Sequence, residues 1–163
     1  MKAWLGLGGN IGDVCSTFKN ALTFLQETNE LIVLTSSHLY KTSPWGRVDQ
    51  NDFLNLCLLI ETTLDPEKLL DKCLYVEKKS GRQRIEKWGP RTLDIDILAY
   101  ENISYLKTEK LTLPHPFLTE RAFVLRPLND IAPELIISGK TIRQWNAEVV
   151  DDNIEKLNFE FIV

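Results

Sequence analysis

The run Leu93-Asp94-Ile95-Asp96-Ile97-Leu98 constrains this chain more than any other stretch. Side chains on a β-strand alternate between faces. Leu93, Ile95 and Ile97 therefore point one way, and Asp94, Asp96 and Leu98 the other. One face is aliphatic and suits a core; the opposite face carries two carboxylates two residues apart. The turn formers of Trp88-Gly89-Pro90 stand just before it. Like charges this close raise each other's pKa unless a cation lies between them. Carboxylates together with phosphate oxygens are the usual surroundings of Mg²⁺. Arg91, on the approach to the strand, has the fork geometry for bidentate phosphate contact. Alone, Asp-x-Asp is more often the solvated face of a half-buried strand, so the rest of the chain must decide.

The other elements follow from spacing. Residues 2–8 read as a first strand ending in glycine. The segment Gly6-Leu7-Gly8-Gly9-Asn10-Ile11-Gly12 looks at first like a phosphate loop. It lacks the Gly-Lys-Ser/Thr ending, and Ile11 stands where a dinucleotide fingerprint needs glycine. It is read as a tight strand-to-helix turn that requires small residues. Asp13 caps a helix running to about Glu27, with Val14, Phe18, Ala21, Leu22 and Leu25 on its apolar face. Residues 32–41 form a second strand. Residues 53–61 form a third, with Leu54, Leu56, Leu58 and Ile60 toward the core and Phe53, Asn55, Cys57 and Leu59 on the other face. Asp65-Pro66-Glu67 starts a second helix that runs to about Ser80 and stops at Gly81. Leu69, Leu70, Cys73 and Val76 give its buried face, and Glu77 continues that face to the edge of the core.

The order strand, helix, strand, strand, helix, strand predicts an α+β fold of the ferredoxin-like split βαβ type. Its core is an antiparallel four-stranded sheet with two helices on one face. A C-terminal hairpin (103–105 with 110–113), a rigid Pro114-His115-Pro116 corner, a helix over 119–130 interrupted by Pro127 and a helix over 142–149 complete it. The 163 residues suit one domain, 1–163. Residues 151–163 carry no pattern that assigns them.

Alternation gathers Asp94, Asp96, Phe53 and Asn55 on the sheet face away from the two helices. A buried amide such as Asn55 needs partners, which a heterocycle edge or a neighbouring backbone would supply. The long polar loop 42–51 carries Trp45, which either covers a planar ligand or packs back on the sheet. Loop 81–91 carries Arg82, Arg84, Lys87 and Arg91 and leads directly to the carboxylates, as a polyphosphate–Mg²⁺ site requires. The net charge of -4 gives no support for a nucleic-acid partner. Three cysteines without CxxC spacing read as reduced thiols of a cytoplasmic protein, and two histidines argue against zinc. No apolar stretch approaches a membrane span.

These residues resemble the 6-hydroxymethyl-7,8-dihydropterin pyrophosphokinase family. Arg82-x-Arg84 with Trp88-Gly89-Pro90-Arg91-Thr92-Leu93-Asp94-Ile95-Asp96-Ile97 is similar to its signature. Asp49-Gln50, Asp52-Phe53-Leu54-Asn55, Pro114-His115, Arg121 and Phe123 match its other blocks, and the likeness extends to Leu135. The resemblance implies transfer of diphosphate from ATP to the pterin hydroxymethyl oxygen, with two Mg²⁺ ions and release of AMP. Asp94 and Asp96 would hold the metals, and Arg82 and Arg91 would stabilise the moving diphosphate. Glu77, Arg84, Trp88, Arg91, Leu98, Thr112, His115 and Arg121 would contact the nucleotide. Asn55, with backbone atoms of Thr42 and Trp45, would bind the pterin edge, and Phe53 and Phe123 would sandwich its ring. Leu74 and Lys110 depart from residues found in some members, at nucleotide contacts.

The partners expected are therefore ATP and the pterin, bound by a monomer whose loops 42–51 and 81–91 order on binding. Two other readings stay open. One is a non-catalytic ligand- or RNA-binding module on the same sheet; the acid pair and negative charge speak against it. The other is a two-metal nucleotidyltransferase, which would release pyrophosphate rather than AMP.

Overall fold

A computed structural model describes residues 1–44, 49–82, 89–151 and 153–161. In chain order the elements are β1 (Lys2–Gly9), α1 (Val14–Leu25), β2 (Leu31–Ser36), β3 (His38–Thr42), β4 (Phe53–Thr62), α2 (Pro66–Lys79) and β5 (Asp94–Tyr100). There follow β6 (Leu106–Lys107), β7 (Thr112–Leu113), α3 (Ala122–Ile131), β8 (Ile136–Ile137), β9 (Lys140–Thr141), α4 (Ile142–Glu148) and β10 (Ile154–Glu160).

Both early helices begin where their caps predict. The Asp13 carboxylate accepts the Ser16 N–H, and the Asp65 carboxylate accepts the Lys68 N–H with Pro66 in the first turn. The five apolar residues expected of α1 are its five buried ones. Helices α1 and α2 meet the aliphatic side of the sheet, where Leu5, Leu7, Leu56, Leu58, Ile60, Ile95 and Ile97 join Phe18 and Val76 in one cluster.

The main sheet runs β10-β3-β4-β1-β5, with β2 also on β4, and every pairing is antiparallel. β1 lies between β4 and the edge strand β5. Asn55 and Asp94 flank Gly8 on one rung, and Cys57 and Asp96 flank Gly6 on another. On the opposite face, α3 covers β4 in part. Val124, Leu125 and Leu128 pack there with Cys57, Leu98 and Ala99 in a second apolar cluster.

Several expectations need correction. Among the described residues the sheet has six strands, not four. The strand expected over 32–41 divides at Ser37, whose hydroxyl accepts the Cys57 N–H at 2.8 Å while its own N–H donates to Cys57 O at 2.9 Å. A side-chain oxygen thus takes the place of one ladder carbonyl. Residues 151–163 contribute β10, which pairs with β3 from Ile154 opposite Thr42. The hairpin pairs β6 with β7 rather than residues 103–105. Helix α3 runs through Pro127 without interruption. Glu77 is only 3% exposed, well inside rather than at the core's edge.

Phe161 closes the core at the chain's far end, its ring 6.1 Å from that of Phe18. Phe161→Ala is expected to lower the free energy of unfolding by about 3 kcal/mol in a urea titration. An unchanged midpoint would detach β10 from the core.

Candidate active site

A cleft opens on the sheet face turned away from α1 and α2. It encloses about 810 Å³ of space including its open mouth. Its floor is β1, where Gly6 and Gly8 carry no side chain. One wall is β5, with Asp94, Asp96 and Leu98. The other is β4 and the end of β3, with Phe53, Asn55 and Thr42. Arg121 and Phe123, at the start of α3, stand over it, and Arg91 lies at one end. The structure therefore brings together nine of the residues singled out in the sequence.

The two carboxylates differ in surroundings. Asp94 accepts from Arg82 Nη1 at 2.6 Å on one oxygen and from Arg91 Nη1 on the other. Burial works against its charged form, but the two guanidinium groups outweigh burial and hold its pKa below the ordinary carboxylate value. Among the described residues no guanidinium pairs with Asp96 in this way. Burial and the neighbouring Asp94 charge push its pKa up to about 6. This is the electrostatic condition of an acid pair that a cation would relieve. Asp94 and Asp96 fit Mg²⁺, which takes one or two carboxylates and fills its octahedron with phosphate and water oxygens.

His115 follows the Leu113–Pro114 peptide, which is cis. Its Nδ1 accepts the Phe117 N–H at 3.2 Å, and its Nε2 lies 4.0 Å from an Asp96 oxygen. Burial and the nearby Arg121 lower its pKa to about 4, so the ring is neutral at pH 7. With Nδ1 accepting, the proton belongs on Nε2, facing Asp96. The Arg121 guanidinium sits 4.7 Å from the Phe117 ring centre and 5.6 Å from that of Phe123, within cation–π range. Asn55 is 8% exposed, and its amide donates to the Thr42 hydroxyl at 3.0 Å. That bond fixes the orientation in which its carbonyl oxygen lies beside Gly8, where an added Cβ would come within 3.0 Å.

The remaining residues lie elsewhere. Glu77 sits behind β5, accepting the Ile95 N–H at 2.7 Å and pairing with Arg82 Nη1 at 2.5 Å. Burial raises its pKa against the pull of that amide and guanidinium. Arg82 thus bridges Glu77 and Asp94. Thr112 lies on β7 opposite Lys107, outside the lining of the cleft. Trp45, Arg84 and Trp88 fall outside the described residues. The sequence places Gly6 and Gly8 at the end of the first strand and in the turn after it, and assigns them no part in the site, yet they make the floor; their opposition to Asn55 and the acids depends on strand register, which no local pattern reveals. Among the described residues no group of three or more His, Cys, Asp or Glu side chains could hold a metal by protein ligands alone.

Residues 4–133 match the family model described as 7,8-dihydro-6-hydroxymethylpterin-pyrophosphokinase (HPPK). The chain is 46% identical over 156 residues to the 2-amino-4-hydroxy-6-hydroxymethyldihydropteridine pyrophosphokinase of Methylorubrum extorquens, spanning 96% of this chain and 98% of that one. It is 37% identical over 159 residues to the protein of the same name from Haemophilus influenzae, spanning 97% and 99%. Its backbone is similar to that of a Plasmodium falciparum HPPK-DHPS crystal structure, with a TM-score of 0.75 at 19% identity over 95% of this chain. The chain spans 48% of that longer solved chain. Twin acids facing a cleft, an amide and aromatic rings across from them, and near full-length kinship at these identities converge: the chain belongs to the 6-hydroxymethyl-7,8-dihydropterin pyrophosphokinase family.

Proposed function

We propose that this protein transfers the terminal diphosphate of ATP to the hydroxymethyl oxygen of 6-hydroxymethyl-7,8-dihydropterin, releasing AMP, in folate biosynthesis. The observation that carries the reading is the trough across β1. It sets acids and arginines for a polyphosphate on one bank, and an amide with aromatic rings for a flat heterocycle on the other.

The alcohol oxygen attacks the β-phosphorus. A new oxygen–phosphorus bond forms as the bond from that phosphorus to the α,β-bridging oxygen breaks; AMP departs with the electron pair, and the hydroxyl proton is released to water. The work is alignment and charge neutralisation, so no protein nucleophile is required. Asp94 and Asp96 would hold Mg²⁺, two ions on this reading. When bound, the metal offsets the charge of the polyphosphate and orients it. Arg82 and Arg91 pair with Asp94 through Nη1, and their further N–H groups are available to diphosphate oxygens. The neutral His115 and the stacked Arg121 present donors on the nucleotide side. Arg84, Trp88, Leu98 and Thr112 are assigned to the nucleotide by the family resemblance. Glu77 is assigned there too, its buried carboxylate acting by way of Arg82.

On the pterin bank, Asn55 reads the ring edge in the orientation that Thr42 sets, with the Trp45 backbone completing the pocket. Phe53 and Phe123 stack on the ring's two faces, each contact contributing on the order of 1 kcal/mol beyond burial. The finer fold assignment belongs to the same reading. The strand order and the shared face of α1 and α2 support a ferredoxin-like core within one domain. A cytoplasmic monomer that takes no nucleic acid accords with the free thiols and the net charge of -4. No described helix is long and apolar enough to cross a membrane.

Asp96→Asn is expected to cut the rate of pterin-dependent AMP formation at least roughly 100-fold, while thermal melting stays near that of the parent protein. Chelation with EDTA should abolish the same activity, and added Mg²⁺ should restore it. Persistence of AMP formation in either case would remove the metal reading. Gly8→Ala places a methyl group against the Asn55 carbonyl. It should raise KM for the pterin roughly tenfold, with a smaller change for ATP; steady-state kinetics with each substrate varied would reveal an equal effect on both, contrary to this assignment.

A further inference from the structure

Phe117 is 47% exposed, so little of the fold's stability rests on its ring. Its backbone is nevertheless fixed. Its N–H donates to His115 Nδ1 at 3.2 Å, and its carbonyl accepts the Glu120 N–H at 3.2 Å. The next residue, Leu118, is fully buried in the cluster beneath α3. His115 donates its own main-chain N–H to Leu98 O at 2.9 Å, which ties the segment to the strand of the acids. The ring is thus carried to one place by its neighbours. That place is under Arg121, whose guanidinium carbon lies 4.7 Å from the ring centre. Phe123 offers a second ring at 5.6 Å.

The fold gains little from a cation at position 121. Arg121 is the N-cap of α3, at the positive end of the helix dipole, and its side chain makes no capping bond. A long side chain has many rotamers, and holding it in one costs free energy. Aromatic faces within cation–π range offset that cost before any ligand arrives. Phe117 itself lies outside the lining of the cleft, whereas Arg121 and Phe123 belong to it. We propose that Phe117 is a positioning residue for diphosphate transfer: together with Phe123, its ring clamps the Arg121 guanidinium in the pose in which it meets the nucleotide. The proposal rests on the functional reading above, which sets Arg121 on the nucleotide side. Leucine would fill much of the same space without an aromatic face; tyrosine would keep the face.

The test has two readouts. In the protein without ligands, the NMR signal of the Arg121 Nε–H feels the ring currents of its neighbours, and Phe117→Leu should move it. Titration calorimetry with Mg²⁺ and α,β-methylene-ATP should then show nucleotide binding weakened about tenfold in Phe117→Leu. Phe117→Tyr should recover most of that loss. Pterin affinity and melting temperature should stay near those of the parent protein. In an Arg121→Ala background, Phe117→Leu should weaken binding no further, because the ring acts through the guanidinium. Phe117→Met, which also fills space without a ring, replaces Phe117→Leu should that variant fail to fold, and is read in the same way. Parent-like nucleotide binding in Phe117→Leu overturns the proposal, as does a tyrosine variant no better than leucine. A full further loss in the Arg121→Ala background also overturns it, since the ring would then meet the nucleotide directly. Lowered melting with both ligands weakened alike would make the role structural and is equally fatal. A parent protein that binds no nucleotide overturns the functional reading itself, and the proposal falls with it whatever the Arg121 signal shows.

Discussion

The site depends on the hydrogen-bond register of β1. β1 pairs with β4 on one side and β5 on the other, and the register sets Asn55, Gly8 and Asp94 on one rung. Two residues along, Cys57, Gly6 and Asp96 make another. Adjacent strands lie roughly 4.8 Å apart, so a side chain on β1 would fill the space between its neighbours. Glycine at both positions leaves a trough instead. A slip of one residue would turn the acids into the core and the aliphatic residues into the cleft. The packing of Leu93, Ile95 and Ile97 against the helices prevents that slip, so the core enforces the geometry of the site.

The electrostatics divide the acid pair unequally. Two guanidinium groups neutralise Asp94, whereas Asp96 is left with burial and a like charge. Arg82 is itself tied to Glu77, which accepts a main-chain N–H of β5. The end of α2, the start of the arginine-bearing segment and the acid strand are thus linked by one chain of charged contacts. Such a chain is stable only while every member keeps its partners, which ties Arg82 and Arg91 to the strand they serve.

A second polar junction holds the far side. The Asp130 carboxylate on α3 accepts from Tyr40 Oη at 3.1 Å and from Lys156 Nζ at 3.3 Å, and it meets His38. It joins α3 to β3 and β10. Since β3 ends at Thr42 and α3 begins beside Arg121 and Phe123, this junction lies at the remote ends of two elements that frame the cleft.

Much of this was legible in the chain itself. Alternation over residues 93–98 determined which side chains share a face, because the extended backbone has a period of two. The caps Asp13 and Asp65 determined where helices start, because a carboxylate next to free N–H groups acts locally. The family motifs determined the chemistry expected of the acids and arginines. Tertiary structure decided what depends on residues distant in sequence. The division at Ser37 needs the Cys57 backbone across the ladder. The strand at residues 154–160 has weak alternation and becomes a strand only because β3 offers an unpaired edge. The fate of Glu77 rests on Ile95 and Arg82, and the meaning of Gly6 and Gly8 on neighbours that folding alone supplies. Local sequence encodes direction and propensity; which partner waits there is set by the packing of the whole chain.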